Sequence, residues 1–386
     1  MKTFVRCSFC GNDRPELFDA DQSISPCRVC LPYQVPPIRP EQGMKKTHIL
    51  KLSYSLTDEQ ERLSSKLLEA IENHEDVMVD AVTGSGKTEI VFASILSCLN
   101  QGGKVAFVIP RRDVVRELYP RLKQAFPNSS CIEVFGGHVD ELIGDITVLT
   151  THQLYRYEAY FDLIVFDEVD AFPYTGNRLL KQMVKRSRKG SIIYLSATFS
   201  SFVLDSFRKQ GGRVEHLYTR HHGIAMPTFR FIRMWEWLSY GWILDLLTRW
   251  IKQGKPVLIF VPTLAHGQRL FQWLFLFCKK GKWVHASTKT RDQDINAFKQ
   301  GRLSYLVSTS ILERGITLVH LQVIIAFGDH PLMEEKTLIQ MAGRVGRKKE
   351  DPYGEVVVFS QILTKAMDAS QKRLQFANQH VSTMFS

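Results

Sequence analysis

Short, mostly apolar runs punctuate the first part of the chain at residues 77–79, 105–110, 146–151, 163–166 and 192–195. A strand apolar along its whole length is covered on both faces, as in a parallel sheet clothed by helices. The intervening segments fit that reading. Leu63, Leu67, Leu68 and Ile71 recur at helical spacing, as do the apolar residues of 114–126. Thr57 precedes the first of these helices, with Gln60 three positions on, the signature of a capping box. A polar, basic stretch at 216–227 interrupts the pattern and reads as a link. Apolar runs return at 228–234, 257–261, 305–308 and 323–327. The pattern therefore predicts an α/β protein of two lobes, residues 50–220 and 221–386. Trp235, Trp237, Tyr240, Trp242 and Trp250 crowd the start of the second lobe. Trp242, Leu246 and Trp250 fall four apart, which predicts a helix packing that stripe on its lobe; a membrane-interface belt is the alternative.

The totals agree with two lobes and an appendage, since 386 residues exceed one ordinary core. Lys and Arg outnumber Asp and Glu by 50 to 39, a net charge of +11 that favours an anionic partner such as nucleic acid or an acidic lipid surface. No apolar run approaches the ~20 residues that span a bilayer. The first ten residues lack a signal core. A cytoplasmic protein is expected, and its single cysteines, Cys98, Cys131 and Cys278, read as small core residues.

Cys7-x-x-Cys10 and Cys27-x-x-Cys30 stand apart from both lobes, separated by residues 11–26. Two such pairs at this spacing suit a structural Zn²⁺ site, each pair turning two thiolates to one side. Residues 1–31 hold too few apolar side chains for a core, so zinc would hold them folded. Arg6, Arg14 and Arg28 make the unit basic. Pro32, Pro36, Pro37 and Pro40 make residues 32–49 a stiff spacer.

The run at 77–79 feeds Ala81-Val82-Thr83-Gly84-Ser85-Gly86-Lys87-Thr88, and residues 89–96 beyond it have helical spacing. Strand, glycine-rich loop and helix form the context of a phosphate-binding loop. The backbone of Thr83, Gly84, Ser85 and Gly86 would cradle phosphates beside the helix N-terminus. Lys87 would reach the β- and γ-phosphates, and Thr88 would ligate Mg²⁺. Gln60 has two readings, helix cap or adenine contact. Asp167-Glu168 ends the run at 163–166, facing the ligand crevice of a parallel sheet; there Asp167 would hold Mg²⁺ and Glu168 would polarise the attacking water. In the second lobe, Gln340-Met341-Ala342-Gly343-Arg344-Val345-Gly346-Arg347 carries two arginines that would share a helix face and place positive charge on a γ-phosphate. Lys181, Lys185, Arg186, Arg188 and Lys189 read as a solvated basic face, with nucleic-acid contact as the alternative.

Together with Asp167-Glu168-Val169-Asp170, Ser196-Ala197-Thr198, Pro110-Arg111, Thr150-Thr151-His152-Gln153 and residues 309–315, these motifs resemble the superfamily 2 helicases in order and separation, from residue 56 to the C-terminus. Ala81, where many phosphate loops begin with glycine, is a form common among such motors. The resemblance implies two tandem RecA-like lobes with parallel sheets and ATP hydrolysis with Mg²⁺. It implies an ATP contact at Gly315, coupling between lobes through Ser196, Thr198 and Gln340, and nucleic-acid backbone contacts at Arg111, Thr151 and Thr309. The four cysteines and the run at 167–173 further resemble the DNA-uptake ATPases of transformable Gram-positive bacteria. That narrower resemblance implies a translocase on single-stranded DNA, working with other uptake proteins at the inner face of the cell membrane. A replication-restart DNA helicase and an RNA helicase are the alternatives. The former usually carries its zinc module inside the second lobe, and the latter's Asp-Glu-Ala-Asp tetrad is not matched at Val169. Asp170 and Ile316-Thr317 depart from the commonest pattern.

Overall fold

The computed structural model describes residues 7, 9–18, 27–33, 35–40, 46–52, 54–169, 176–220, 222–309, 318–348 and 350–382. The chain divides into two compact units. One comprises Met1–Ala81 with Gly86–Leu217, the other Val82–Ser85 with Tyr218–Ser386.

The first unit is built on strands β1 (Val77–Ala81), β2 (Val105–Ile109), β3 (Cys131–Val134), β4 (Ile146–Thr150), β5 (Phe161–Asp167), β6 (Arg188–Ser196) and β7 (Arg213–Leu217). They form one parallel sheet in the order β3-β4-β2-β5-β6-β1-β7. Helices α1 (Asp58–Glu72), α2 (Phe92–Asn100), α3 (Arg112–Ala125), α4 (Arg178–Ser187) and α5 (Ser201–Lys209) accompany it. Every residue of β2 and β4 is buried, as their unbroken apolar runs require. One core gathers β1 and β2 with α1, α2 and α3. A second, on the opposite sheet face, gathers β5 and β6 with α4.

The second unit repeats the plan with β8 (Phe229–Arg233), β9 (Val257–Phe260), β10 (Gly281–Val284), β11 (Tyr305–Ser308), β12 (Gln322–Ile325) and β13 (Val356–Ser360). These too are all parallel, in the order β10-β11-β9-β12-β13-β8. Its helices are α6 (Glu236–Lys252), α7 (Leu264–Phe277), α8 (Arg291–Lys299), α9 (Glu335–Ala342) and α10 (Lys365–Ser382). On α6 the buried stripe runs through Ser239, Ile243, Leu246, Leu247 and Trp250. Trp242 sits one position off that stripe and is 53 % exposed, so the expectation that it packs on the lobe holds for Trp250 and fails for Trp242.

The proline-rich stretch is not a free spacer. Ile38 bridges to Tyr157, its N–H donating to the Arg156 carbonyl at 2.7 Å and its carbonyl accepting from Glu158 N–H at 3.1 Å. Arg39 pairs with Glu158 at 2.9 Å, and Tyr33 meets Tyr155 edge to face. Phe9, Tyr33 and Ile38 all pack on the core beneath α4. Pro32 lies in a 3-10 turn, Leu31–Tyr33, while Pro36 and Pro37 fix the backbone that leads into the Ile38 bridge on the first unit.

Candidate nucleotide site and four-cysteine cluster

Beyond β1 the chain turns through Gly84 (φ +83°) and Gly86 (φ +78°), left-handed conformations that glycine adopts without a Cβ clash. At Gly86 space decides as well, because a Cβ there would fall 2.3 Å from Gln60 Nε2. Thr88 has helical angles, a 3-10 turn spans Glu89–Val91, and α2 continues from Phe92. The tighter first turn replaces the α-helix expected directly behind the loop and is common at helix N-termini. Lys87 Nζ donates to the Ala81 carbonyl at 3.2 Å, which folds the ammonium back over the loop. Turn, helix and lysine are thus arranged as the sequence leads one to expect of a loop for a nucleoside triphosphate.

Both halves of the capping box form. Gln60 N–H donates to Thr57 Oγ1 at 3.3 Å, and Thr57 N–H donates to Gln60 Oε1 at 2.9 Å. The Gln60 oxygen is therefore committed to the cap while its Nε2 rests against Gly86. Beside the loop, the Tyr54 hydroxyl donates to the buried carboxylate of Glu89 at 2.7 Å, and Arg121 pairs with the same group. Burial, and then Glu89, push the Tyr54 phenol up to about 12. With Phe92 and Gln124 these side chains line an open cleft of about 400 Å³. Glu89 and Arg121 belong to no recognisable motif, and only folding brings them together.

Asp167 closes β5, and its Oδ1 accepts the Glu168 N–H at 2.9 Å. Glu168 has φ +56°, a costly conformation for a residue with a Cβ and of the kind that clusters at functional sites. The order β5-β6-β1 and its register set Asp167 beside Leu195 and Asp80 beside Ser196, so Asp167, Ser196 and Ala81 lie along one rim. Past Ser196 the Thr198 N–H donates to Ser196 Oγ at 3.0 Å, fixing the turn.

In the second unit α9 stops at Ala342, and Gly343 caps it. Arg344 and Arg347 therefore lie in the turns after the helix, not on a helical face. The two glycines explain the difference: Gly343 ends the helix and Gly346 takes φ +63°. Arg347 Nε donates to the Gly343 carbonyl at 2.7 Å. Arg344 and Gln340 are buried. Arg220 and His222, which carried no motif signal, hold this turn. Arg220 is 1 % exposed, and its Nη1 donates to the carbonyls of Val345 at 2.8 Å and Gly346 at 2.6 Å. His222 Nε2 reaches the Gly346 carbonyl at 2.9 Å. Burial, and then Arg347, push the Arg220 guanidinium down to about 9.

Of the expected nucleic-acid contacts, Arg111 and Thr151 lie just past the register pair Ile109 and Thr150, at neighbouring strand ends of the first unit. Arg111 immediately precedes α3, and Thr309 follows β11. Thr151 is fully buried at the head of the 3-10 turn Thr151–Arg156, so its side chain is not at the surface. Gly315, Asp170, Ile316 and Thr317 lie outside the described residues, as do Arg6 and His221. The basic run of α4 and β6 is largely spoken for. Arg186 pairs with Glu158 at 3.4 Å, Arg188 with Asp76 at 2.8 Å and Lys189 with Asp162 at 2.8 Å.

The four thiols of Cys7, Cys10, Cys27 and Cys30 converge, all within 4.8 Å of one another and all buried. Sγ–Sγ distances of 3.4, 3.7 and 3.9 Å match the ~3.8 Å edge of a tetrahedron with metal–sulfur bonds of ~2.3 Å. Burial pushes the Cys30 thiol far up and Cys10 up to about 11; a bound cation would reverse that by favouring thiolates. The cluster is docked on the first unit: Leu179 packs against it, and the Arg186 guanidinium lies 4.5 Å from the centre of the Phe9 ring. Burial also pushes Cys98 and Cys131 up to about 12, the behaviour of inert core thiols. Among the described residues no helix is long and apolar enough to cross a membrane.

Comparison with known proteins agrees with this geometry. Residues 53–201 match the family described as type III restriction enzyme, res subunit, and residues 240–349 match the helicase conserved C-terminal domain. Among solved structures, Saccharomyces cerevisiae Dbp5 bound to RNA and ADP BeF3 superposes with a TM-score of 0.60 at 17 % identity, covering 84 % of this chain and 92 % of that one. That likeness shows the fold, two RecA-like helicase lobes. Competence protein ComFA of Bacillus subtilis is 33 % identical over 98 % of this chain and 86 % of its own length. ComFA of Streptococcus pneumoniae is 35 % identical over 88 % of this chain and 81 % of its own length. With a phosphate loop, a paired carboxylate and an arginine turn on two helicase lobes, and with this identity along nearly its whole length, the chain belongs to the ComFA family of competence proteins, helicase-type ATPases that use ATP and Mg²⁺.

Proposed function

We propose that this chain is a single-stranded-DNA-driven ATPase translocase that serves DNA uptake. The observation that supports it is its 33 % identity to a competence protein over 98 % of its length. In this reading the loop from Thr83 to Thr88 binds the triphosphate, with Lys87 on the β- and γ-phosphates and Thr88 and Asp167 holding Mg²⁺. Glu168 orients the attacking water, and Arg344 and Arg347 stabilise the charge of the transferring phosphoryl group. Gln60 and Gly315 complete the ATP contacts, and Ser196, Thr198 and Gln340 couple hydrolysis to movement. Arg111 and Thr309 touch the DNA backbone; Thr151, buried as a whole residue, holds the turn behind that surface and makes no contact of its own. Partners in uptake at the inner face of the membrane belong to the same proposal.

ATP turnover should rise with single-stranded DNA of any base composition and fall off steeply as salt increases, because backbone contacts release counterions. Rates with matched single-stranded DNA, duplex DNA and RNA, each at two salt concentrations, test this. Stimulation by RNA alone would replace the reading with an RNA helicase.

Zn²⁺ is the proposed occupant of the four-cysteine cluster, in a structural role, since four thiolates leave no open position. The double substitution Cys27→Ala and Cys30→Ala should remove one zinc per chain. It should lower Tm by roughly 5–10 °C, a loss of ~2–3 kcal/mol, because the cluster is seated on Leu179 and Arg186. ATP binding should survive. Metal analysis and a thermal melt are the measurements; an unchanged melt would mean that the docking seen here contributes no stability.

A further inference from the structure

Because every strand of the second unit is parallel, their C-terminal ends form one rim. Thr309 leaves β11 at that rim. Further along the order β11-β9-β12-β13-β8, the rim opens into a cleft of about 160 Å³ where β12, β13 and β8 end. Two to four strand spacings of ~4.8 Å separate it from β11, roughly 10–20 Å, which a few nucleotides cover.

The cleft is lined by Glu236, His266, Phe327, Asp329, Ser360 and Gln361, among others. Phe327 takes φ +59°, a conformation that an aromatic residue adopts only under constraint. Its ring lies 4.8 Å from the His266 imidazole. The Nδ1 of His266 is engaged by Thr263 Oγ1 at 2.7 Å, which fixes the ring and turns Nε2 to the other side. Ser360 is 4 % exposed, and its buried hydroxyl has no hydrogen-bond partner among the described residues. A buried hydroxyl left without a partner is costly, and a ligand edge would complete it. Trp235 and Trp237, on either side of Glu236 in the chain, are 66 % and 72 % exposed.

These features select a ligand. The carboxylates of Glu236 and Asp329 repel phosphate, so a polyanion's backbone stays outside. Two aromatic rings and a mixed set of donors and acceptors suit a neutral planar heterocycle, and bare tryptophans are stacking surfaces for any base. We propose that this cleft receives one unstacked base of the bound single strand, with Trp235 and Trp237 stacking its neighbours. The inference rests on the nucleic-acid reading above and adds to it a base-binding site distinct from the backbone contacts.

The test uses the full chain and two oligomers of equal length and charge, deoxycytidine and its abasic counterpart. The unsubstituted chain should bind the deoxycytidine oligomer about tenfold more tightly, the scale of base–aromatic stacking. Trp235→Ala with Trp237→Ala, both at the surface, should erase that preference while leaving affinity for the abasic strand as it was. Ser360→Leu, which fills the cleft, should do the same. Equal binding of the two oligomers by the unsubstituted chain overturns the proposal, as does a preference that survives both sets of substitutions. If neither oligomer binds, the nucleic-acid reading itself fails and the cleft proposal falls with it.

Discussion

Replacing Arg347 by alanine should leave ATP binding within a few-fold of normal and lower turnover by about 10³–10⁵, the contribution of an arginine that meets charge developing on the γ-phosphate. The structure gives the expectation a local basis. Arg347 is carried by a turn, not a helix, and the turn is held from behind by Arg220 through the carbonyls of Val345 and Gly346. A side chain so mounted is held in place in advance, as a contact to developing transition-state charge requires. Nucleotide affinity by fluorescence titration and single-turnover hydrolysis separate the two roles. A loss of affinity with normal turnover per bound ATP would make Arg347 an ordinary binding residue.

The second large effect is expected at Lys87. Lys87→Ala should abolish measurable turnover without unfolding the chain. Its ammonium donates only to the Ala81 carbonyl among the hydrogen bonds described for it, and no apolar core depends on it. The missing charge would otherwise sit on the β- and γ-phosphates, where little else in the loop is cationic. Unchanged circular dichroism with no phosphate release is the expected pair of results. A soluble Lys87→Ala protein with ordinary turnover would mean that this loop is not the nucleotide site.

Much of this architecture was legible in the sequence because its strands are apolar on both faces, so that runs such as 105–109 read as buried without any tertiary knowledge. The strands that escaped notice, β3, β7 and β10, are three of the four sheet edges; the fourth, β8, shows as the run at 228–234. Edge strands keep polar residues, as Arg213, Glu215 and His216 do in β7, and their pattern fades into that of a loop. β13 also escaped, although all five of its residues are buried. At the site, motif residues with fixed spacing were found from spacing alone. Residues that act through a fold contact were not: Glu89 with Arg121, or Arg220 with Gly346, are separated by 32 and 126 positions. The arginine turn was misread as helix because charge spacing spoke for a helical face, whereas Gly343 and Gly346 decided the backbone. Trp242 was misplaced by a single position, since a stripe at spacing four fits two neighbouring faces of a helix almost equally well.

The seating of Phe9, Tyr33 and Ile38 on the core beneath α4 bears on how this chain can be cut. A fragment starting at residue 50 preserves every motif of the engine, and by sequence it looks like a natural boundary. It would nevertheless uncover the apolar shelf that those three side chains roof over, beside the Arg186 and Glu158 that the N-terminal segment now engages. A shortened motor would be sticky where the whole protein is smooth, and its aggregation would be an artefact of the scissors and not a property of the engine.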